Sequence, residues 1–315
     1  MAVNLGPGVE SPNIQIARAV SPNPSLRIGV LSRNIDYWTT RKIIKAGRFM
    51  GYETEFYRTG DVQLMVDDVY FDAFHGTKSF RETDVIIPRI GRSMTDFGIL
   101  LLNHLDLMGV PTTLSAAGLS TARNKFATMQ KLRAAGIRIP ESFLVASKIK
   151  AGDVIEKTPP PLILKLLSGT QGVGVMKVEK VSDVGPIIDT LVELKQLILI
   201  QSYIPNPGED VRMFVVGEEV VGAMVRKAAP TEWRSNIHLG GKGIPYSNTE
   251  AEAEIAIRAA KSVGLEIAGV DMIMGKDGPY LIEVNASPGF KGLMKATDVD
   301  VPGRIIEYAA GKARK

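Results

Sequence analysis

Two acidic side chains and an amide near the end of the chain have the types and spacing to do chemistry. Asp271 lies in one short apolar run, and Glu283 and Asn285 lie in the next, with Gly and Asp turn residues between the runs. This pattern predicts a β-hairpin. A loop made of Lys276–Gly278 would place Asp271 directly opposite Glu283. Asn285 would then project from the same face as Glu283.

Two carboxylates facing each other across a hairpin repel, and apolar surroundings make their burial costly. A hard divalent cation such as Mg²⁺ would remove the repulsion, because it takes oxygen ligands and shares them with phosphates. The alternative is a solvated outer face, which a loop one residue longer would favour by moving Asp271 out of register. The runs are otherwise apolar, so the sequence favours a metal site formed by Asp271, Glu283 and Asn285.

A lysine inside an apolar strand and the glycines after it form a second candidate site. Lys165 lies where a charged side chain is costly without an anionic partner. The following residues carry Gly169, Gly172 and Gly174 and then return to a strand. Neither the ending of a P-loop nor the helix of a dinucleotide-binding turn is present. A glycine-rich hairpin can close its backbone N–H groups over phosphates, and a plain tight turn is the alternative.

The composition is that of a globular protein with a substantial core. The 315 residues are 45% hydrophobic and 23% charged, and the formal net charge of +4 is too slight to establish nucleic-acid binding. The absence of cysteine excludes disulfides and cysteine nucleophiles and suits a cytoplasmic protein. With three histidines, a multi-histidine zinc site is not expected. No apolar run reaches the length of a membrane span.

Strands alternate with helices in the first part of the chain, which predicts a parallel sheet covered by helices. Residues 1–25 are rich in Pro, Ser and Asn and predict a flexible or loosely docked tail. The predicted strands are Leu26–Leu31, Glu53–Tyr57 and Asp84–Arg89, and the predicted helices are Tyr37–Met50 and Thr95–Met108. Ligands of such sheets gather at the carboxyl ends of strands. Arg33, Arg89 and Arg92 are therefore candidates to bind a substrate carboxylate, with solvated loop arginines as the alternative.

Further elements follow in the rest of the chain. The predicted helices are Asn124–Ala135, one near Val184–Lys195, Glu250–Val263 and Arg304–Ala310. The predicted strands are Leu162–Leu167, Leu197–Gln201, Glu209–Val216, Val220–Val225 and the two strands of the hairpin. These elements place the two candidate sites in different parts of the chain.

Several short motifs occur in order between Arg123 and Gly289. They are Arg123-Asn124-Lys125, Leu164-Lys165, Gly169-Thr170-Gln171-Gly172-Val173-Gly174, Asp210-Val211-Arg212, Arg234-Ser235-Asn236, Asp271 and Glu283-Val284-Asn285-Ala286-Ser287-Pro288-Gly289. This series resembles the ATP-grasp superfamily and, within it, the RimK group of α-L-glutamate ligases. Ile87-Pro88-Arg89-Ile90-Gly91 also resembles the amino-terminal domain of that group. The resemblance runs from about Leu26 to Ala310.

The resemblance implies an α/β protein with α+β lobes, an ATP-grasp fold preceded by a parallel-sheet α/β domain. It divides the chain into the tail at 1–25, an amino-terminal α/β domain at 26–114, a central lid subdomain with the glycine-rich loop at 115–199, and a carboxyl-terminal subdomain with the metal site at 200–315. The tail has no counterpart in the family.

The resemblance also implies roles for individual residues in binding ATP. Lys125, Lys165, Gly169, Thr170, Gln171, Gly172 and Gly174 would contact the phosphates. The backbone of Gln201, Ser202, Tyr203 and Ile204 would hold adenine, and Asp210 would lie beside the ribose. Arg234, Ser235 and Asn236 would reach the phosphates or an acyl intermediate. The family often has Glu where this chain has Ser202, so a side-chain contact to adenine at that position would be lost while backbone contacts would survive.

The same resemblance implies the reacting groups and the metal. Asp271, Glu283 and Asn285 would hold two Mg²⁺ or Mn²⁺ ions. The catalytic candidates are Arg212, Arg234 and Asn236, and the substrate candidates are Arg33, Arg89 and Arg226.

The activity implied is an ATP-dependent, ADP-forming carboxylate–amine ligase that adds L-glutamate or a related amino acid to a terminal carboxylate. The acceptor could be the C-terminus of a ribosomal protein, a glutamate chain or the glutamate tail of a coenzyme. One alternative is amino-acid addition to a carrier protein in lysine or arginine synthesis, and another is a non-catalytic ATP-binding regulator. The family further implies a homo-dimer or homo-tetramer, without membrane or direct nucleic-acid partners.

Overall fold

The computed structural model describes residues 26–147, 149–167, 174–206, 208–229 and 241–313. The predicted tail at 1–25 lies outside the described residues, as do Gly169, Thr170, Gln171, Gly172, Arg234, Ser235 and Asn236. No helix within the described ranges is long and apolar enough to cross a membrane.

The amino-terminal part is built on a parallel sheet, as the alternating pattern predicts. Its elements are β1 (Arg27–Ser32), α1 (Trp38–Phe49), β2 (Glu53–Arg58), β3 (Val62–Val66), β4 (Phe71–His75), β5 (Lys78–Ser79), β6 (Val85–Arg89) and α2 (Thr95–Leu107). Strand β1 lies between β2 and β6 and pairs in parallel with both. The consecutive residues Val30 and Leu31 of β1 point to opposite faces and are both fully buried, as expected for a strand covered on both faces.

Strands β3, β4 and β5 form a separate three-stranded antiparallel sheet that sequence analysis did not predict. It rests on α2, where the buried His104 ring lies 2.8 Å from the carbonyl oxygen of Asp72 through Nε2. This small sheet is an insertion between β2 and β6, and β2 and β6 still flank β1 as predicted.

The central part contains four helices and a four-stranded antiparallel sheet. Its elements are α3 (Ala116–Arg123), α4 (Lys125–Ala134), β7 (Ser142–Val145), α5 (Ile149–Lys157), β8 (Leu162–Leu166), β9 (Val175–Val178), α6 (Val181–Glu193) and β10 (Ile198–Ser202). The strand order is β7-β10-β8-β9. Asn124 is the N-cap of α4, because its side chain accepts hydrogen bonds from the N–H groups of Phe126 and Ala127.

A five-stranded antiparallel sheet forms the carboxyl-terminal part. Its elements are β11 (Glu209–Val216), β12 (Glu219–Lys227), β13 (Lys242–Pro245), α7 (Glu250–Val263), β14 (Ile267–Gly275), β15 (Gly278–Asn285), α8 (Lys291–Ala296) and α9 (Val301–Lys312). The strand order is β13-β12-β11-β14-β15. Helix α7 has the predicted bounds, because Thr249 and Glu252 form a capping box at its start and Gly264 ends it with a left-handed φ of 81°.

The hydrophobic cores divide the molecule into a body and a lid. One core joins α2, α3 and α4 to the five-stranded sheet, with Leu101, Leu119 and Leu132 among its buried residues. A second core joins the parallel sheet to α9. The four-stranded sheet, β7-β10-β8-β9, packs on α5 and α6 through a core of its own. We call this sheet and its two helices the lid, because the buried residues of its core belong to neither core of the body.

Candidate active site

The predicted pairing of Asp271 with Glu283 is confirmed, although the predicted loop is wrong. Strands β14 and β15 place Asp271 opposite Glu283 and Gly269 opposite Asn285. The loop has two residues, Lys276 and Asp277, rather than three. A register shift just after Asp271 offsets the shorter loop and restores the predicted register.

Asp271 is buried between two arginines of neighbouring strands. Arg212 on β11 lies opposite Asp271, and its Nε and Nη2 atoms donate to the two carboxylate oxygens at 2.6 and 2.5 Å. Arg226 on β12 approaches Asp271 Oδ2 to 3.0 Å. Burial by itself would raise the pKa of the Asp271 carboxyl, but the charges of Arg212 and then Arg226 outweigh it and hold that pKa below its ordinary value. Asp271 is therefore an anion with a fixed orientation.

Arg226 is buried beside two acidic side chains. Its side chain is 4% exposed, and its Nε and Nη2 atoms donate to Asp210 at 2.6 and 2.5 Å. The guanidinium is engaged by Asp210 and Asp271, and the role of Arg226 in binding a substrate carboxylate stays a prediction. Asp210, predicted to lie by the ribose, is the other end of this buried ion pair.

Glu283 and Asn285 complete a polar row across β12, β11, β14 and β15. Glu283 is exposed, whereas Asn285 is half-buried. In its better-paired orientation, the Asn285 amide nitrogen lies 3.2 Å from Glu283 Oε1 and its oxygen lies 3.2 Å from Nη2 of Arg212. The amide thus connects the exposed carboxylate of Glu283 to the arginine that orients Asp271.

The donor atoms in this row fit a hard divalent cation. Two carboxylates and an amide oxygen are the ligand types that Mg²⁺ prefers, with phosphates and water completing an octahedron. Within the described ranges, no three His, Cys, Asp or Glu side chains lie close enough together to hold a metal ion. Asp271 and Glu283 therefore fit a cation that arrives with further oxygen ligands, such as a nucleotide's phosphates.

Strands β8 and β9 of the lid carry Lys165 and Lys177 on the face opposite the lid's core. In β8, Leu162 and Leu164 point to the helices, so Lys165 points to the other face by strand alternation. The pKa of Lys165 is lowered to about 8, mainly because the side chain is removed from water. The negative charge of Glu283 raises this pKa, and the positive charge of Lys125 lowers it. An anionic ligand would reverse this shift.

Lys125 and the two strand ends of the glycine-rich loop lie in the same region. The Nζ atom of Lys125 donates to the carbonyl of Leu166 at 3.1 Å and to that of Leu167 at 3.4 Å. Burial lowers the pKa of Lys125, while Glu283 raises it. Gly174, with a φ of 73°, accepts a hydrogen bond from the N–H of Leu166 and closes the end of the loop. Lys125 and Lys165 thus lie within electrostatic reach of Glu283.

The stretch predicted to hold adenine is tied to β7 and to the segment before β8. Gln201 is buried and donates to the Ser142 hydroxyl at 2.7 Å. The N–H of Ser202 donates to the carbonyl of Glu141, and the Ser202 hydroxyl accepts from the N–H of Glu141. The N–H of Tyr203 donates to Pro161. Ser202 therefore joins the end of β10 to the residue before β7 through both its hydroxyl and its backbone N–H.

Tyr203 and Ile204 continue this stretch beyond β10. The Nζ atom of Lys177 lies 4.5 Å from the centre of the Tyr203 ring, which joins the strand after the glycine-rich loop to the linker. Asn206 donates to the carbonyl of Ile204 at 2.9 Å and fixes the turn into β11.

The predicted arginines of the amino-terminal domain lie at the carboxyl ends of β1 and β6. Arg33 is exposed and donates to Tyr37 and Ser93. Arg89 is half-buried and donates to the carbonyl of Pro288, just after the hairpin, at 2.6 Å.

Arg92 and Arg123 extend this group of arginines. Arg92 donates to the carbonyl of Leu167 at the end of the lid strand, at 2.9 Å. Sequence analysis gave no role to Arg123, although it opens the motif that contains Lys125. The arginines therefore contact both the body and the lid.

Two family models match successive parts of the chain. Residues 26–119 match the family model of the RimK PreATP-grasp domain, and residues 122–309 match that of the RimK-like ATP-grasp domain. The chain therefore belongs to the RimK-like ATP-grasp family and is an ATP-dependent ligase.

A curated relative agrees with this assignment, and two solved structures share the fold. "Probable alpha-L-glutamate ligase 2" of Shewanella sp. (strain W3-18-1) is 35% identical over 292 residues, which are 92% of this chain and 97% of the relative. The ATP-grasp ligase PsnB in complex with a minimal precursor shares the fold at a TM-score of 0.75 and 18% identity, covering 91% of this chain and 99% of PsnB. The RimK domain protein ATP-grasp from Sphaerobacter thermophilus gives 0.69 and 22%, with coverage of 90% and 100%.

Proposed function

We propose that this ligase joins L-glutamate, or a closely related amino acid, to a terminal carboxylate of an acidic acceptor through an acyl phosphate. The name of the Shewanella relative supports glutamate as the amino acid. PsnB has also been solved with a phosphomimetic precursor variant, Mg and ADP, which supports Mg²⁺ and an ADP-forming reaction. The observation that carries the proposal is the pairing of Asp271 with Glu283, whose carboxylate lies within electrostatic reach of Lys125 and Lys165.

The chemistry needs charge neutralisation rather than a nucleophilic side chain. A carboxylate is a poor electrophile until its oxygen takes the γ-phosphoryl group of ATP, after which an amine displaces phosphate. Phosphoryl transfer depends on positioning and electrostatics. Lys125 and Lys165 would bind phosphate oxygens, and Arg212 would stabilise the charge that develops on the transferred group while it orients Asp271.

Asp271, Glu283 and Asn285 would hold two divalent ions, Mg²⁺ or in its place Mn²⁺. Such ions supply neutralisation of the phosphate oxygens during transfer. Arg212 keeps Asp271 ionised in the free protein, so no proton has to leave before the carboxylate can act as a ligand. Arg234, Ser235 and Asn236 remain predicted contacts of the phosphates, together with Gly169, Thr170, Gln171, Gly172 and Gly174.

The adenine would bind where the lid meets the body. The backbone of Tyr203 and Ile204 would contact the base, beside the face of the lid that carries Gln201 and Lys165. Because the N–H and the hydroxyl of Ser202 both form hydrogen bonds with Glu141, we assign Ser202 to positioning this stretch rather than to contacting adenine. An acyl phosphate hydrolyses in water, and a lid with its own core can close over the intermediate as a unit.

The product of the reaction tests this proposal. The protein would be incubated with ATP, Mg²⁺ and L-glutamate, with free glutamate chains, a ribosomal-protein C-terminal peptide, a pterin or deazaflavin coenzyme, or a carrier protein as acceptor. Mass spectrometry should show products spaced by glutamyl residues, together with acceptor-dependent ADP. Modification of the carrier protein alone would instead indicate the alternative ligase of lysine or arginine synthesis. ADP release without any of these products would contradict the glutamate assignment.

A further inference from the structure

Two arginines where the parallel sheet meets the hairpin each carry a buried N–H without an acceptor in the described part of the chain. Arg89 donates through Nη2 to Pro288, and its Nε atom has no partner there. Arg123 donates through Nη2 to Ile90, the residue after Arg89, and its Nε atom likewise has none. Buried donors are almost always paired in native proteins. Two such donors on adjacent guanidinium groups indicate that an acceptor is missing.

The hydroxyl of Ser287 is a third buried polar group without a partner among the described residues. Ser287 precedes Pro288, the residue that accepts from Arg89. The three groups therefore border one place, where the residues after β15 meet the end of β6.

The charges of this place also lack compensation. No ion pair joins Arg89 or Arg123 to a carboxylate within the described ranges. Burial and then the charge of Arg123 together lower the pKa of Arg89 to about 10. Burial and then the charge of Arg92 lower the pKa of Arg123, while Glu283 raises it. A guanidinium cluster with one carboxylate nearby is stabilised by an added oxyanion.

We propose that Arg89, Arg123 and Ser287 bind a second, non-reacting carboxylate of the acceptor. The enzyme then selects an acceptor whose last residue carries two carboxylates, as glutamate does. This inference rests on the proposed function, in which the reacting carboxylate lies beside Glu283. Glu283 is itself within electrostatic reach of Arg123, so the second carboxylate of the same residue would lie near Arg123. The planar fork of arginine suits a carboxylate. Arg33 is not included, because it is exposed and already donates to Tyr37 and Ser93.

Binding of matched peptides without turnover tests the pocket. Calorimetry would use a non-hydrolysable ATP analogue, Mg²⁺ and three probes: triglutamate, the same peptide ending in glutamine, and triglutamate with its terminal α-carboxylate amidated. Either the glutamine-ending peptide or the α-amidated peptide lacks the carboxylate that this pocket binds. That peptide should bind the natural protein roughly ten- to hundredfold more weakly than triglutamate does. In Arg123→Met this preference should shrink to within about twofold, the usual limit of additivity.

Controls separate the pocket from general damage. Arg133→Met alters an exposed arginine of the neighbouring helix α4 and should keep the full preference. Ser287→Ala and Arg123→Lys are smaller changes that should reduce the preference even if Arg123→Met does not fold.

Three outcomes would overturn the inference. One is equal weakening of all three peptides by these variants, and another is weaker binding of the ATP analogue alone, which would assign the arginines to phosphate. The third is the absence of any peptide binding to the natural protein, which would overturn the acidic ligand class. Glutamate ligation itself is judged separately by the product assay.

Discussion

Arg212 and Asp271 face each other across β11 and β14 and form a bidentate ion pair. The pair belongs to a buried ladder in which Arg226 bridges Asp271 to Asp210. Because both oxygens of Asp271 are held before any ligand binds, the carboxylate is pre-oriented for a cation. The ladder also links the predicted ribose contact, Asp210, to the predicted metal ligand, Asp271, through a single guanidinium.

Arg226→Met should destabilise the protein strongly, by about 3–5 kcal/mol, because it leaves buried carboxylates without their partner. Denaturant unfolding would measure the loss. Arg33→Met, which removes an exposed arginine, should stay within about 0.5 kcal/mol of the natural protein.

An Arg226→Met protein of natural stability would show that the ladder is unimportant to folding. Mn²⁺ binding in the presence of a nucleotide analogue, followed by electron paramagnetic resonance, should also weaken in Arg226→Lys, since lysine cannot reproduce the bidentate geometry.

Glu283→Ala should reduce turnover by at least about a hundredfold, in line with losses at metal sites, and leave the fold intact because the side chain is exposed. Acceptor-dependent ADP release and circular dichroism would measure the two effects. Glu254→Ala removes another exposed carboxylate, one that forms only a weak pair with Arg258 at 3.6 Å, and should leave turnover unchanged. Near-natural ADP release by Glu283→Ala would rule out the metal assignment.

The sequence predicted helices and strands best where the local sequence signals were strong. The capping box of Thr249 and Glu252 set the start of α7, and the turn that begins at Gly217 set the end of β11. The hairpin register was right although its loop was not, because an irregularity after Asp271 offsets the shorter turn. Such an irregularity has no residue signature in this stretch, so sequence analysis could not place it.

The partners of the charged residues could not be predicted in the same way. Arg226 resembles other strand-end arginines in sequence, and its burial against Asp210 depends on pairing between β11 and β12. Strands β3, β4 and β5 were missed because none is longer than five residues and the connection from β3 to β4 carries Asp67 and Asp68. Arg123 belongs to a recognised motif, but its burial arises only when the end of α3 contacts Ile90, the residue after β6, which leaves its Nε atom without a partner among the described residues.

Ser202→Ala should destabilise the protein by about 0.5–1.5 kcal/mol, the usual contribution of one hydrogen bond, because the Ser202 hydroxyl accepts from Glu141. ATP affinity should stay the same, since the proposed adenine contacts come from the backbone. Denaturant unfolding and nucleotide titration would measure the two quantities. A large loss of ATP affinity with unchanged stability would show that the hydroxyl itself contacts the nucleotide.

The affinity for ATP should fall as the pH rises through about 8, because burial lowers the pKa of Lys165 to about 8 in the free protein. Below that pH the ammonium is charged and attracts phosphate, and above it a proton must be taken up when ATP binds. Calorimetry in buffers of different ionisation enthalpy should detect this uptake at a pH near 8.5.

Lys165→Arg keeps its charge throughout this pH range and should abolish the proton uptake, whereas Lys165→Ala should bind ATP weakly at every pH. The lowered pKa of Lys165 also makes the free energy of unfolding depend on pH. Below pH about 8 the folded state holds an unfavourable buried charge, and this penalty is relieved as the pH rises from about 8 towards the ordinary lysine pKa of 10.5. Relative to Lys165→Met, the natural protein should therefore gain stability over that range. Equal pH dependence in the two proteins would show that Lys165 titrates as an ordinary solvated lysine.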